Sequence, residues 1–282
     1  MKLLRYGPRG KEKPGVLDRH GNCRDLSGVL SDITPDQLAP AALDRLRKLD
    51  PASLPPVTGE PRLGVPIVGI GKLVCIGLNY HDHANETGNP IPKEPVVFMK
   101  ATSSLTGPND DVILPKAATK GDWEVELGIV IGTTAQYVAE HDALKYVAGY
   151  CIVNDVSERA FQMERGGQWT KGKSCDTFAP VGPWLVTADE IANPQALELL
   201  CEVSGQIMQK GTTRNMIFDC AKIVSYLSHF MTLSPGDVIP TGTPAGVGLG
   251  MKPPRFLRHG DTMRLTVTGL GEQRQRVLAH GS

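Results

Sequence analysis

The segment DWEVELGIVIG, residues 122–132, decides the fold assignment because it has the pattern of one strand in a largely buried sheet. Every second residue is apolar, which is the period of a β-strand. These alternating residues are Trp123, Val125, Leu127, Ile129 and Ile131. Glu124 and Glu126 therefore share the opposite face, which continues through Gly128 and Val130. A charged strand face is usually solvated, but one that continues as glycine and valine indicates partial burial.

Short strand-like segments follow one another from Ile67 onward, separated by glycine and proline. They read KLVCIGL, PVVFM, DVILP, VELGIVIG, YCIVND, GPWLV, DVIPTG and MRLTVTG. Only one long amphipathic helix is predicted, in NMIFDCAKIVSYLSHFM, residues 215–231. Because many strands accompany few helices, the pattern excludes an eight-fold α/β barrel and a doubly wound sheet. It predicts a β-rich α+β fold for residues 66–282.

The first 65 residues have a different character and predict a small N-terminal α+β domain. GVLDRHGNCRDL is typical of a β-hairpin that turns at residues 20–22. ITPDQLAPAALDRLRKLD, residues 33–50, has leucine and alanine at helical spacing. PASLPPVTGEPRLGVP, residues 51–66, contains five prolines and predicts a linker or a meandering connection.

The charge balance and the apolar pattern exclude several classes of protein. The 282 residues include 30 basic and 30 acidic side chains, so bulk electrostatics does not attract nucleic acid. The segment MKLLRYGPRGKEKPG lacks the apolar run of a signal peptide, and no later stretch reaches membrane-span length. Six cysteines without a C-x-x-C pair are typical of reduced thiols. We therefore expect a cytoplasmic protein with no nucleic-acid or membrane partner.

GQWTKGKS, residues 167–174, matches the pattern G-x-x-x-x-G-K-S of a phosphate-binding loop. That loop functions between a buried strand and a helix that begins at the serine. Here a charged segment precedes it, and Pro180 and Pro183 follow it too closely for a regular helix. We reject the nucleotide-binding interpretation, so Lys173 needs another role.

Three carboxylates form a candidate metal site. Glu124 and Glu126 share a strand face, and like charges on a part-buried face repel each other unless a cation lies between them. Asp155 follows the next apolar strand, in GYCIVNDVSERAF. An acidic residue at that position is also typical of a helix cap. Together the three side chains offer an all-oxygen ligand set, which suits Mg²⁺, Mn²⁺ or Ca²⁺ and disfavours zinc.

The segment GLNYHDHANE, residues 77–86, begins where a strand ends and contains two candidate sites. His81 and His83 have the H-x-H spacing of zinc-binding, barrel-type amidohydrolases. That fold needs further metal-binding histidines on later strands, whereas the other histidines here lie in predicted turns or on the predicted amphipathic helix, which argues against it. His83 and Glu86 share a helical face at i and i+3, so the carboxylate can orient the imidazole as a general base. A surface ion pair is the alternative.

The loop IPTGTPAGVGLG, residues 239–250, is rich in glycine and threonine. It is consistent with a simple turn between strands. Its backbone N–H groups and the Thr243 hydroxyl could also hold a substrate carboxylate.

Taken in order, six of these motifs resemble the fumarylacetoacetate hydrolase family over about residues 70–270. They are GLNYHDHANE, FMKATSSLTGP, DWEVELGIVIG, GYCIVNDVSERAFQ, GKSCDTFAPVGP and PTGTPAGVG. The resemblance implies a mixed β-roll or sandwich catalytic domain of the fumarylacetoacetase C-terminal type, and a homodimer. The first 65 residues resemble, less specifically, the small domain of some members.

The resemblance also implies the roles of nine residues. Glu124, Glu126 and Asp155 hold a divalent metal, His83 and Glu86 activate water on a mobile lid, Lys173 faces the substrate's developing charge, and Arg159, Gln162 and Thr243 contact substrate. The resemblance thus implies a role for Lys173 in place of the rejected nucleotide binding.

The expected reaction is metal-dependent hydrolysis of a carbon–carbon bond in a small 2,4-dioxo acid, because the His-x-x-Glu pair supplies a base for water. A ureidoglycolate lyase, and a decarboxylase or isomerase of 2-oxo-dicarboxylic acids, are alternatives on the same site. Outside catalysis, the alternative is a metal-dependent protein that binds carboxylates without turnover.

Overall fold

A computed structural model describes all residues, Met1–Ser282, and contains eighteen strands and five α-helices. The strands are β1 (Lys2–Tyr6), β2 (Lys13–Leu17), β3 (Cys23–Asp25), β4 (Leu63–Gly64), β5 (Leu73–Gly77), β6 (Val96–Lys100), β7 (Leu105–Thr106), β8 (Val112–Leu114), β9 (Gly121–Asp122), β10 (Val125–Ile131), β11 (Val147–Asn154), β12 (Ser157–Glu158), β13 (Ala179–Thr187), β14 (Glu198–Val203), β15 (Gln206–Thr212), β16 (Val238–Pro240), β17 (Thr262–Val267) and β18 (Gly271–Ala279). The α-helices are α1 (Pro40–Arg47), α2 (His81–Thr87), α3 (Arg159–Met163), α4 (Thr170–Lys173) and α5 (Cys220–Ser228). Short 3₁₀ helices cover Pro35–Leu38, Pro51–Ser53, Thr102–Ser104, Glu140–Tyr146, Ala188–Glu190, Pro194–Ala196, Thr213–Asn215 and Gly248–Gly250.

Two sheets pack face to face and enclose the main core. The large sheet has eleven strands, ordered β3-β2-β1-β13-β11-β10-β16-β5-β6, with β4 added on β1 and β7 on β13. The second sheet has the order β15-β14-β17-β18-β8, and β9 pairs separately with β12. Apolar residues of β10 and β11 share one buried cluster with residues of β14, β17 and β18. The predicted β-rich α+β class is confirmed.

Strand β10 lies in the middle of the large sheet and is buried along its whole length. Val125, Leu127 and Ile129 belong to the core between the sheets, whereas Val130 belongs to a second core on the opposite face. A Cβ atom at Gly128 would lie 2.7 Å from Val153 Cγ2, so only glycine fits this close strand contact. The face that carries Glu126 is therefore covered by protein, as the sequence predicted.

The N-terminal residues extend the large sheet. β1 pairs with β13, and β2 and β3 form the predicted hairpin around residues 18–22. Helix α1 buries Ala42, Leu43 and Leu46, and its two leucines belong to the second core. The boundary at residue 65 stays a prediction.

Helix α5 is shorter than the predicted segment 215–231. Asp219 caps it by accepting a hydrogen bond from the backbone N–H of Lys222 at 2.8 Å. The N–H groups of Ile217 and Phe218 donate to Asn79 instead of to helical carbonyls, at 2.8 Å each. These bonds hold residues 217 and 218 in a bend outside the helix, so the apolar spacing alone overestimated the helix. No helix has the length and apolarity needed to cross a lipid bilayer.

Candidate active site

The three predicted carboxylates converge between neighbouring strands. Glu124 precedes β10, Glu126 lies within it, and Asp155 directly follows β11. Because β10 and β11 run antiparallel, Asp155 lies beside Glu124, to whose carbonyl its N–H donates at 2.9 Å. One oxygen from each of the three side chains lies within 4.8 Å of the others. All three residues are at most 5% exposed.

Three buried cations pair with two of these carboxylates. Lys173 Nζ donates to Glu124 Oε2 at 2.8 Å and to Asp155 Oδ2 at 2.7 Å. Arg159 Nη2 lies 2.6 Å from Glu124 Oε1, and Lys100 Nζ donates to Asp155 Oδ1 at 2.5 Å. Two carboxylates of the cluster are thus each held between two positive charges.

Glu126 is the carboxylate of the cluster without a cationic partner. Its Oε2 accepts a hydrogen bond from the N–H of Gly242 at 2.8 Å. Burial and the charges of Asp155 and Glu124 hold the pKa of Glu126 well above its usual range. Burial would also raise the pKa of Glu124, but the charges of Lys173 and Arg159 outweigh it and hold that pKa well below its usual range.

The donor set fits a hard divalent cation. Three carboxylates within ligand distance of one another provide only oxygen atoms, which Mg²⁺, Mn²⁺ and Ca²⁺ prefer and zinc disfavours. Glu126 is a buried acid without an ion pair, and such an acid is stabilised in its ionised form by a cation beside it. The cluster could therefore bind a divalent metal.

The predicted histidine and glutamate lie on helix α2. His83 Nδ1 is 3.4 Å from Glu86 Oε2, and Glu86 Oε1 accepts a hydrogen bond from the N–H of Gly246 at 2.9 Å. His83 is buried, whereas His81 is exposed, because positions i and i+2 of a helix point in different directions. The H-x-H pair therefore does not form one metal site.

One cavity of about 590 Å³ contains both groups of residues. Its wall includes Glu124, Glu126, His83, Glu86 and Lys173. Asp155 does not line this cavity and is fully buried. The apolar part of the wall includes Phe98 and Trp169, whose ring centroids are 5.3 Å apart, and the Lys173 ammonium lies 5.1 Å from the Phe98 ring centroid.

The three predicted substrate contacts also line this cavity. Arg159 Nε donates to Asp122 Oδ2 at 2.9 Å and Nη1 donates to Gln162 Oε1 at 3.1 Å. The Thr243 hydroxyl donates to the carbonyl of Val125 at 2.9 Å and accepts from Gln209 Nε2 at 2.7 Å. The hydroxyl proton of Thr243 is thus engaged inside the protein.

Several N–H groups of the loop at residues 239–250 bind carboxylates of the protein itself. Besides the bonds from Gly242 and Gly246, the N–H groups of Gly248 and Leu249 donate to Asp122 at 2.7 and 3.0 Å. These four groups therefore hold the site together and are not available to a substrate carboxylate.

Lys173 ends helix α4 and does not follow a phosphate-binding loop. Helix α3 precedes the glycine-rich residues 166–167, where a nucleotide loop would have a buried strand. The helix also lies before Ser174 and not after it. This geometry confirms the rejection of the nucleotide motif.

Comparison with known proteins agrees with the motifs. The family model described as fumarylacetoacetate (FAA) hydrolase C-terminal matches residues 72–278. The chain belongs to the fumarylacetoacetate hydrolase family. A Burkholderia ambifaria protein named "Putative hydrolase" is 62% identical to it over 276 residues, with 98% of each chain covered.

Solved structures of the fumarylacetoacetate hydrolase family share the whole fold. The fumarylacetoacetate hydrolase from psychrophilic Exiguobacterium antarcticum has a TM-score of 0.86 at 35% identity, covering 99% of this chain and 100% of that one. The maleylpyruvate hydrolase from Sphingobium sp. SYK-6 has a TM-score of 0.83 at 28% identity, with the same coverage. The protein is thus an enzyme of this family, with an acidic cluster where a divalent metal could bind.

Two residues that contact this candidate site carried no functional signal in the sequence analysis. Lys100 ends the edge strand β6, and its partner Asp155 is 55 residues away. Asp122 is fully buried and connects Arg159 with the Gly248–Leu249 backbone. Lysine at the end of an apolar strand and aspartate before one are the only local signals, and both are common at strand ends.

Replacing Glu126 with glutamine is expected to stabilise the metal-free protein at neutral pH. Since the folded state raises the pKa of Glu126, metal-free stability falls as the pH rises from about 4.5 through that raised pKa. Glutamine avoids this penalty and still accepts from Gly242. The expected result is a higher Tm for metal-free Glu126→Gln than for the metal-free wild type at neutral pH. Thermal unfolding in a chelator at several pH values measures it.

The exposed Glu60 provides the control, because Glu60→Gln is expected to leave Tm unchanged. Added Mn²⁺ is expected to raise the Tm of the wild type but not that of Glu126→Gln. A lower Tm for metal-free Glu126→Gln at neutral pH would contradict this account of the site.

Proposed function

We propose that the protein is a divalent-metal-dependent hydrolase that cleaves a carbon–carbon bond in a small 2,4-dioxo acid of the acylpyruvate type. The observation that carries this proposal is that one cavity is lined by the His83–Glu86 pair, by two carboxylates of the acidic cluster and by Lys173, which bonds to the cluster. Maleylpyruvate hydrolase, one of the similar structures, bears the name of such a reaction.

The acidic cluster and the base have separate tasks in this reaction. A divalent cation held by Glu124, Glu126 and Asp155 would supply Lewis-acid polarisation of the 2-oxo acid. His83, oriented by Glu86, takes a proton from the water that attacks the C4 carbonyl. The C3–C4 bond then breaks, and its electron pair stays on C3 as the enolate of pyruvate, while the acyl group leaves as a carboxylic acid.

The remaining polar residues of the cavity serve charge and orientation. Lys173 offsets the negative charge that develops on the enolate, and its own charge is secure because Asp155 and Glu124 outweigh the effect of burial and raise its pKa. Gln162 accepts from Arg159 through its oxygen, which leaves its amide N–H groups for the substrate. C3 finally takes a proton, so the products are pyruvate and a carboxylic acid.

A substrate panel tests the reaction class. The panel contains acetylpyruvate, maleylpyruvate, oxaloacetate and ureidoglycolate, each with Mn²⁺, with Mg²⁺ and with excess chelator. We expect release of pyruvate and a carboxylic acid from an acylpyruvate, with one oxygen of labelled water in the new carboxylate, and loss of turnover with chelator. Product identification by NMR and mass spectrometry measures this.

Each alternative has its own outcome in the same panel. Urea release from ureidoglycolate without acylpyruvate cleavage would assign a lyase, and carbon dioxide from oxaloacetate alone would assign a decarboxylase. Tautomerisation without bond cleavage would assign an isomerase. Saturable binding of pyruvate or oxalate without any turnover would assign a carboxylate-binding protein. Cytoplasmic location and a homodimer stay predictions, and light scattering tests the second.

A further inference from the structure

The carboxylate of Glu86 joins two parts of the site. Its Oε2 faces His83 Nδ1 at 3.4 Å, and its Oε1 accepts from the N–H of Gly246 at 2.9 Å. Helix α2 is thereby attached to the segment Gly246–Gly250, which is anchored in turn by the N–H groups of Gly248 and Leu249 on Asp122. The orientation of the imidazole thus depends on where this segment allows Glu86 to lie.

Gly250 has no room for a side chain, because Glu86 occupies the space. A Cβ atom at Gly250 would lie 2.4 Å from Glu86 Cδ, 2.6 Å from Cγ and 2.7 Å from Oε2. Gly250 is not among the glycines with positive φ, so its backbone conformation does not require glycine. The need for glycine at this position therefore comes from the Glu86 carboxylate.

We propose that Gly250 is a positioning residue for the His83–Glu86 pair: its missing side chain leaves the space that holds the Glu86 carboxylate against the imidazole. The proposal rests on the proposed function, in which this pair activates water. The oxygen nearest to the added carbon is Oε2, the same atom that faces His83. One methyl group at residue 250 therefore displaces the atom on which the orientation of the base depends.

An alanine at this position is expected to move Glu86 and leave the fold intact. The colliding atoms are the end of a flexible side chain that is 18% exposed and can rotate toward solvent. Gly248 shows the contrast, because a Cβ atom there would lie 1.9 Å from the backbone oxygen of Arg255, which cannot rotate away. Gly250→Ala therefore separates positioning from folding.

The test is a double-mutant cycle of Gly250→Ala and Glu86→Ala, assayed with the acylpyruvate of the panel that has the highest kcat/KM. We expect Glu86→Ala to lower kcat/KM about 10²-fold and Gly250→Ala about tenfold or more. The double variant is expected to lie within about twofold of Glu86→Ala, because the collision no longer exists. Calorimetry is expected to show that Gly250→Ala binds Mn²⁺ with wild-type affinity. A crystal structure of Gly250→Ala is expected to show that Glu86 no longer accepts the hydrogen bond from the Gly246 N–H.

Controls distinguish the possible failures. Gly28→Ala, in an exposed turn with nothing within 4 Å of the added carbon, is expected to behave as the wild type. If Gly250→Ala unfolds, Glu86→Ala must restore its Tm, and a double variant that stays unfolded would overturn the proposal. Wild-type kcat/KM for Gly250→Ala, or losses that add in the double variant, would also overturn it while the proposed function stands. Full activity of Glu86→Ala would instead refute the proposed function.

Discussion

Lys173→Met is expected to lower turnover strongly and to lower the Tm of the metal-free protein. The ammonium lies 2.7 Å from Asp155 Oδ2 and 2.8 Å from Glu124 Oε2, and all three side chains are buried. Breaking a buried pair costs about 3–5 kcal/mol. We expect the lower end of that range, because Arg159 and Lys100 still face the two carboxylates. The corresponding fall in Tm is about 6–12 °C.

The activity of Lys173→Met is expected to fall by about 10²–10³-fold or more, the usual effect of removing one preorganised charge from a developing anion. Thermal unfolding with and without Mn²⁺ and steady-state kinetics measure both effects. Mn²⁺ is expected to recover part of the lost Tm, because it places positive charge beside the same oxygens. Lys171→Met, on the exposed side of the same helix, is the matched control and is expected to change neither quantity. Wild-type activity in Lys173→Met would remove this lysine from the site.

His83→Ala is expected to lower kcat by about 10²–10⁴-fold, the usual contribution of a general base. The affinity of this variant for Mn²⁺ is expected to stay at the wild-type value. The side chains placed to bind a metal are Glu124, Glu126 and Asp155, and His83 is not one of them. Stability is expected to change little, since the imidazole borders the cavity and contacts only Glu86 through its ring nitrogens. Steady-state kinetics and calorimetry with Mn²⁺ measure these effects.

His81→Ala is the matched control, because His81 lies on the same helix but is exposed. We expect this variant to keep wild-type kcat and Mn²⁺ affinity. Equal loss of metal binding in both histidine variants would favour the H-x-H zinc site that the sequence also allows. Retained kcat in His83→Ala would exclude this residue as the base.

Local periodicity was sufficient for much of the fold and part of the site. The alternation in residues 122–132 placed Glu124 and Glu126 on one face, and β10 has that arrangement. The spacing of His83 and Glu86 predicted one helical face, and α2 has it. The same kind of argument failed for α5, because bonds from residues 217–218 to Asn79 are long-range and leave no periodic trace.

The sequence by itself determined which chemical groups exist and which near neighbours share a face, because strand and helix geometry repeat over two to four residues. Only the tertiary structure decided how charge is distributed over the acidic cluster. Lys173 and Lys100 reach Asp155 from 18 and 55 residues away, while Glu126 receives no cation at all. A carboxylate's charge state depends on burial and on distances through space, and these are set only when remote strands pair and pack.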